Sequence, residues 1–464
     1  MEEQNANKRP VNPRRRRRTK FEIIKEDYLP AIIVIASLIL ILIFVVGSIV
    51  RGVERTKYKA ELSRQEAIAA QEEQARLDAE AARLMEEAAV LAKHFDYDSA
   101  IALMDTFSGN MYDYVDFSQR YADYAKAAKE MVLWDDPNQV LNLSFQPLIA
   151  DPDRAFADET YGTSFYNNYI TVDEFAKILQ QLYENGYILI RYSDIRVQDD
   201  TMELYLPKGK KPLIITETHV NYNTYMIDGD GDKLPDKDGS GFASKLILDE
   251  NGNLSCEMVD SNGQTVTGAY DIVPILESFI ATHPDFSYRG ARAVLALSGY
   301  DGLFGYRTGS AAEEYFGKAY RDQQAADVAN VIQAVKDTGY ELACYTYENE
   351  PYGNYSADRI RSEMELWADE VTPLLGNLTL FVFSRNSDIA ENGVAYSDSK
   401  FEVLKEFGFT DFVGFSTDGK PWFNSYDTHS RMGRILVTGS NIANHADWFS
   451  GVFDAYSVKD NARN

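Results

Sequence analysis

Three features of this chain are of residue types that could do chemistry. The first is the run Asp228-Gly-Asp230-Gly-Asp232-Lys-Leu-Pro-Asp236-Lys-Asp238-Gly. Carboxylates at alternating positions let a loop wrap several oxygens around one Ca²⁺. The register is not that of an EF-hand, because Lys233 stands where the turn glycine would. A solvated acidic turn is the other reading. The second is Glu217, His219, Glu348 and Glu350. One imidazole with carboxylates could bind zinc or manganese. Strand alternation would put Glu217 and His219 on one side and Thr218 on the other. A solvated polar rim is the alternative. The third is tyrosine, with 30 residues in a chain that is 12% aromatic. Tyrosines can line a carbohydrate groove, since the ring packs on C–H faces and the hydroxyl hydrogen-bonds; they can equally fill a core. His94, His283, His429 and His445 have no ligand spacing and read as structural. Cys256 and Cys344 allow one disulfide and no cysteine-based zinc site.

Positioning these residues takes a chain of 464, long enough for two or three folded units. Charge is unevenly placed. Residues 1–27 hold nine Lys and Arg against five Asp and Glu, so the −26 of the whole chain leaves −30 on the rest. A surface that acidic repels nucleic-acid phosphates, which excludes nucleic acid as a partner. Residues 29–50 carry no charge and are long enough for one membrane crossing. The block Arg14 to Arg18 precedes them. Basic residues stay cytoplasmic, so 28–50 reads as an uncleaved signal anchor with the large C-terminal part outside the cytoplasm. A cleaved signal peptide would have a shorter apolar run and a small-residue cleavage site. The Arg run also suits anionic lipid.

Residues 51–135 read as a helical stalk. From 54 to 93 there is no Gly or Pro, and one long helix is expected. Ala70, Leu77, Leu84 and Leu91 recur every seven residues. That gives a narrow coiled-coil-like seam through which two copies could dimerise. A short polar turn then leads into what resembles one tetratricopeptide-like hairpin, with no repeat beyond it.

From 136 to 464 short apolar runs alternate with helical patterns. Strands are expected near 140–148, 187–192, 213–216, 293–297, 341–346, 378–383 and 411–415. Helices are expected at 171–185, 325–337, 357–371 and 399–407, the first with Val172, Phe175, Ile178, Leu179 and Leu182 on one face. This alternation predicts an α/β fold with a largely parallel sheet or barrel, and pattern alone does not choose between them.

Several motifs in this region carry a resemblance. Ile170-Thr171-Val172-Asp173-Glu174-Phe175, followed by Leu182-Tyr183-Glu184-Asn185-Gly186-Tyr187, is similar to the opening helix of polysaccharide deacetylases. Leu206-Pro207-Lys208-Gly209 and the apolar run to Thr216 resemble the approach to that family's Asp-Asp strand. His283-Pro284-Asp285-Phe286-Ser287-Tyr288-Arg289-Gly290-Ala291 and Gly305-Tyr306-Arg307-Thr308 look like a membrane-anchored subgroup, in which the NodB homology domain follows the anchor. The resemblance implies a distorted (β/α) barrel with its site at the C-terminal ends of the strands. It also implies metal-assisted hydrolysis of an acetyl group, often with zinc. One Asp acts as base; the other Asp and two His in H-x-x-x-H spacing hold the metal.

Carried over residue by residue, that chemistry is missing. Thr218-His219 stands where Asp-Asp should, and Tyr345 and Asn349 stand at the H-x-x-x-H positions. Gln146 stands where the subgroup often carries a His. The expectation is a membrane-tethered pseudo-deacetylase that binds or scaffolds envelope polysaccharide, with Tyr306, Arg307, Tyr345 and Tyr347 lining its groove. Two alternatives stay open. One is an active zinc hydrolase rebuilt around His219, Glu217 and Glu348, and the other is a structural partner-binding protein.

Overall fold

A computed structural model describes residues 28–198, 201–228, 235–237 and 239–463. The basic tail 1–27 lies outside the described residues, as do Asp230, Asp232 and Asp238 of the acidic loop. The chain divides into two compact units, Met1–Ala82 and Arg83–Asn464.

Helix α1 runs from Leu29 to Lys93, and its first part is long and apolar enough to cross a membrane. Pairs such as Arg76–Glu73 at 2.7 Å lie exposed along it and, being solvent-screened, support the helix only slightly. The far end of the heptad seam is used within the chain itself: Leu84 and Ala88 are buried. They are therefore not free to meet a second copy. Helices α2 (Tyr97–Met104) and α3 (Val115–Lys129) follow as a hairpin. Asp98 of α2 is held by Arg289 at 2.6 Å, and the Arg289 amide donates to the His94 carbonyl at 2.7 Å.

Seven parallel strands form the centre. They are β1 (Leu141–Phe145), β2 (Lys211–Thr218), β3 (Val294–Leu297), β4 (Glu341–Cys344), β5 (Leu380–Val382), β6 (Asp411–Phe415) and β7 (Ser430–Leu436). Each pairs with the next, and β7 pairs with β1, so the sheet closes. The choice between sheet and barrel is thereby settled for the barrel. Strand Tyr187–Leu189 pairs with the first half of β2, and β3 takes its second half.

Period-two alternation divides the strand residues into two cores. Outward-facing Leu143, Ile215, Leu295 and Phe381 pack beneath the surrounding helices. Those helices include α4 (Val172–Glu184), with Phe175, Ile178, Leu179 and Leu182, and α6 (Lys318–Thr338), with Val328, Val331, Ile332 and Val335. Between them in the chain lies α5 (Ile272–Thr282). Each such side chain contributes roughly 1.5–3 kcal/mol by leaving water. Thr171 caps α4 in a capping box with Glu174. Inward-facing Ile214, Val294, Ala343, Val382, Val413 and Met432 fill the barrel's lower interior, and Ile188, Met202 and Leu206 belong to the same core. Towards the C-terminal ends the interior turns polar. Asn142 accepts a hydrogen bond from Thr216 at 2.9 Å, and Ser144, Thr218 and Arg434 are buried above them.

Outside the barrel, Lys245–Leu248, Leu254–Val259 and Thr265–Gly268 form a three-stranded antiparallel sheet. Cys256 lies in it and Cys344 ends β4; both are buried free thiols, so the possible disulfide does not form.

Candidate functional site

A cavity of about 330 Å³ opens at the C-terminal ends of the barrel strands. That size is at the small end of ligand sites. β1 contributes Ser144 and is followed by Gln146; β2 contributes Thr218 and is followed by His219. The turn after β4 contributes Tyr345 and Asn349, and the turn after β5 contributes Arg385 and Asn386. Phe415 of β6 and Arg434 of β7 complete the ring. The five positions singled out by family resemblance, Gln146, Thr218, His219, Tyr345 and Asn349, thus stand around one cavity.

The backbone here is unusual. His219, Asn349, Arg385 and Asn386 all have positive φ, between 50° and 62°. Asparagine and histidine tolerate this region better than most residues. Such residues cost about 1–2 kcal/mol each and gather where function demands the geometry. The positive φ at His219 also overturns the expected alternation. It breaks the strand after Thr218, so His219 and Thr218 line the cavity together.

The hydrogen bonds at His219 form a directed chain. The Asn349 amide donates to Nε2 at 2.9 Å. Nε2 therefore bears the lone pair, the proton sits on Nδ1, and Nδ1 lies 3.3 Å from the Thr218 hydroxyl. That hydroxyl donates to the Phe145 carbonyl at 3.2 Å. Burial, with the positive charges of Arg434 and Arg385, pushes the His219 imidazole down to about 3. It is neutral at every physiological pH. Both its nitrogens are engaged, and Oδ1 of Asn349 is left buried with no partner.

A zinc ion does not fit this donor set. The one imidazole lone pair is taken by Asn349, no carboxylate is among the described lining residues, and two guanidinium groups repel a dication. The proposed trio His219, Glu217 and Glu348 is not brought together. Glu217 faces outward from β2, and Glu348 pairs with Arg359 at 2.9 Å. Among the described residues no three His, Cys, Asp or Glu could hold a metal. Of the acidic loop, Asp228 and Asp236 are described; Asp230 and Asp232 are not.

Three residues expected in the groove are placed elsewhere. Arg307 is buried and donates to the carbonyls of Asn221, Asp301 and Tyr222 at 3.3, 2.9 and 2.7 Å. It clamps the turn that follows His219. The ring of Tyr306 lies under Lys245 at 4.8 Å. Tyr347 donates to Glu370 at 2.5 Å and packs against Gly299, where a Cβ would lie 2.3 Å from the ring. Each is fixed by the protein's own groups. Arg434 and Arg385 were missed, because arginines with no motif around them look like surface residues. The run Ser430-Arg-Met-Gly-Arg-Ile-Leu436 has no polar–apolar alternation that would mark it as a strand.

Glu217 has its own chemistry. It is fully buried beside Asp271, which accepts from the amides of Leu148 and Ile272 at 2.9 and 2.8 Å. Burial, then the Asp271 charge, holds the Glu217 carboxyl well above the usual range. The native state therefore keeps a proton that the unfolded chain loses near its ordinary value. The stability this contributes is full below that value and is lost as pH rises through the native one. Glu217→Gln keeps the shape and removes the titration. Its melting temperature should match the parent near pH 4–5, roughly, and exceed it increasingly at alkaline pH. Parallel melting curves from acid to alkali would refute this.

No protein-family profile matches the chain, and no curated protein does. Among solved structures, the Streptococcus pyogenes deacetylase PplD, in complex with acetate, aligns with 67% of this chain and 95% of its own. The identity is 13% and the TM-score 0.35. The site is accordingly read from its own chemistry.

Proposed function

We propose that this chain is a membrane-tethered, extracytoplasmic carbohydrate-binding protein whose barrel cavity recognises a sugar without hydrolysing it. The observation that carries this reading is the directed chain from Asn349 through His219 and Thr218 to Phe145. It uses up both imidazole nitrogens, so His219 is neither a metal ligand nor a base. The cavity instead offers polar groups on a rigid ring of strand ends, with the tyrosine and phenylalanine rings of Tyr345 and Phe415 among them. Rings beside fixed hydrogen-bonding groups suit a sugar's mixed surface. The basic tail and the apolar start of α1 support the tether.

The test uses the detergent-solubilised full chain on an array of envelope glycans, with acetate release measured in parallel in added Zn²⁺ or Co²⁺. The expected result is saturable binding with no acetate above background. Acetate release that His219→Ala abolishes would overturn the reading in favour of a rebuilt hydrolase.

A further inference from the structure

Arg434 is the most costly residue in the cavity. It points inward from β7 and is 1% exposed. Its Nη atoms donate to main-chain carbonyls, that of Phe383 at 2.8 Å and that of Val413 at 3.5 Å, the neutral Tyr345 side chain also hydrogen-bonds it, and Nε has no partner. The rings of Phe415 and Tyr345 lie 4.3 and 5.7 Å from it. Asp388 lies within electrostatic range but is already paired with Arg431 at 2.9 Å. Burial lowers the guanidinium to about 10, which still leaves it charged at neutral pH. A desolvated cation without a counter-ion is among the least favourable groups a protein can bury. A second cation, Arg385, stands exposed on the same cavity, held by the Asn349 carbonyl at 2.8 Å. Facing these donors are two buried acceptors without partners, Asn349 Oδ1 and Ser144 Oγ.

We propose that the ligand of this cavity is a sugar bearing an oxyanion, with the oxyanion on Arg434 and a ring hydroxyl donating to Asn349. The proposal rests on the carbohydrate reading above and adds the ligand's charge. A neutral sugar would satisfy the acceptors and leave the buried charge as it is. An oxyanion supplies the missing counter-charge, and guanidinium recognises carboxylate or phosphate through paired N–H groups.

The experiment titrates the detergent-solubilised full chain with glucuronic acid, glucose 6-phosphate and glucose by calorimetry. It also measures melting temperatures of the parent and Arg434→Met without ligand. Binding of an acidic sugar should exceed that of glucose by roughly ten- to a hundredfold, the worth of one charge-assisted hydrogen-bond pair. The better acid identifies the oxyanion as carboxylate or phosphate. Arg434→Met should erase the preference and raise the ligand-free melting temperature, because it removes an uncompensated buried charge. A structural arginine would lower it. Equal binding of glucose and both acids would overturn the oxyanion and leave the carbohydrate reading standing. Binding of none of the three, with no glycan bound on the array, would end both.

Discussion

Arg463→Ala will destabilise the second unit by about 3–5 kcal/mol, the cost of leaving a buried carboxylate without its cation. Glu174 in α4 is completely buried. Its two oxygens accept from four donors: the Thr171 and Asp460 amides at 2.9 and 3.0 Å, and Arg463 Nε and Nη2 at 2.6 and 2.9 Å. Arg463 also donates to the carbonyls of Tyr166 and Tyr169. Substitution removes half of the carboxylate's donors and all the ties to those carbonyls. The midpoint of urea unfolding should fall, and adding Glu174→Gln should restore part of the loss, because the stranded charge goes with it. An unchanged midpoint would mean that the last turn of chain is ornamental.

The second large effect sets two arginines on one strand against each other. Arg431 and Arg434 are three apart on β7 and therefore face opposite ways. Arg431 is fully buried and has a counter-ion; both its Nη atoms are partnered and its Nε is not. It pairs with Asp388 at 2.9 Å, donates to the carbonyls of Glu391, Val394 and Ala390, and stacks 4.2 Å from the Tyr396 ring. Arg431→Met strands Asp388 and frees three carbonyls, at a cost again of about 3–5 kcal/mol. Arg434→Met should move stability the other way. Opposite signs for the same substitution on one strand would show that partners, not burial, decide what an arginine is worth. A loss of stability in both would contradict the view of Arg434 as uncompensated.

Much of the scaffold was legible in the sequence because it obeys simple periods. Phe175, Ile178, Leu179 and Leu182 mark α4, and 411–415 is the extent of β6. β7, the strand that closes the barrel, was not legible. Arg431, Gly433 and Arg434 interrupt its apolar run, and Gly433 is there because Trp422 packs where a Cβ would be. Without β7 a parallel sheet and a barrel read alike. The site was legible in part. Family motifs pointed to Gln146, Thr218, His219, Tyr345 and Asn349, but the direction of His219 was misread because strand alternation assumes extended backbone and this residue is left-handed. Tyr306, Arg307 and Tyr347 look like ligand-binding side chains by type. What type cannot reveal is that Lys245, three carbonyls and Glu370 already occupy them.

Closure of the barrel has a consequence for synthesis. β7 meets β1 at Ile435 and Leu143, and Arg463 meets Glu174. The barrel's first strand is thus completed by its last, and α4 is locked by Arg463, far along the chain. A polypeptide emerging from its N-terminus must hold one edge of β1 unpaired until nearly all of the barrel has been translated. Contacts so distant along the chain are slow to form, and open strand edges invite wrong partners while they wait. The barrel therefore closes only after β7 has been made, and the open edge of β1 needs shielding until then.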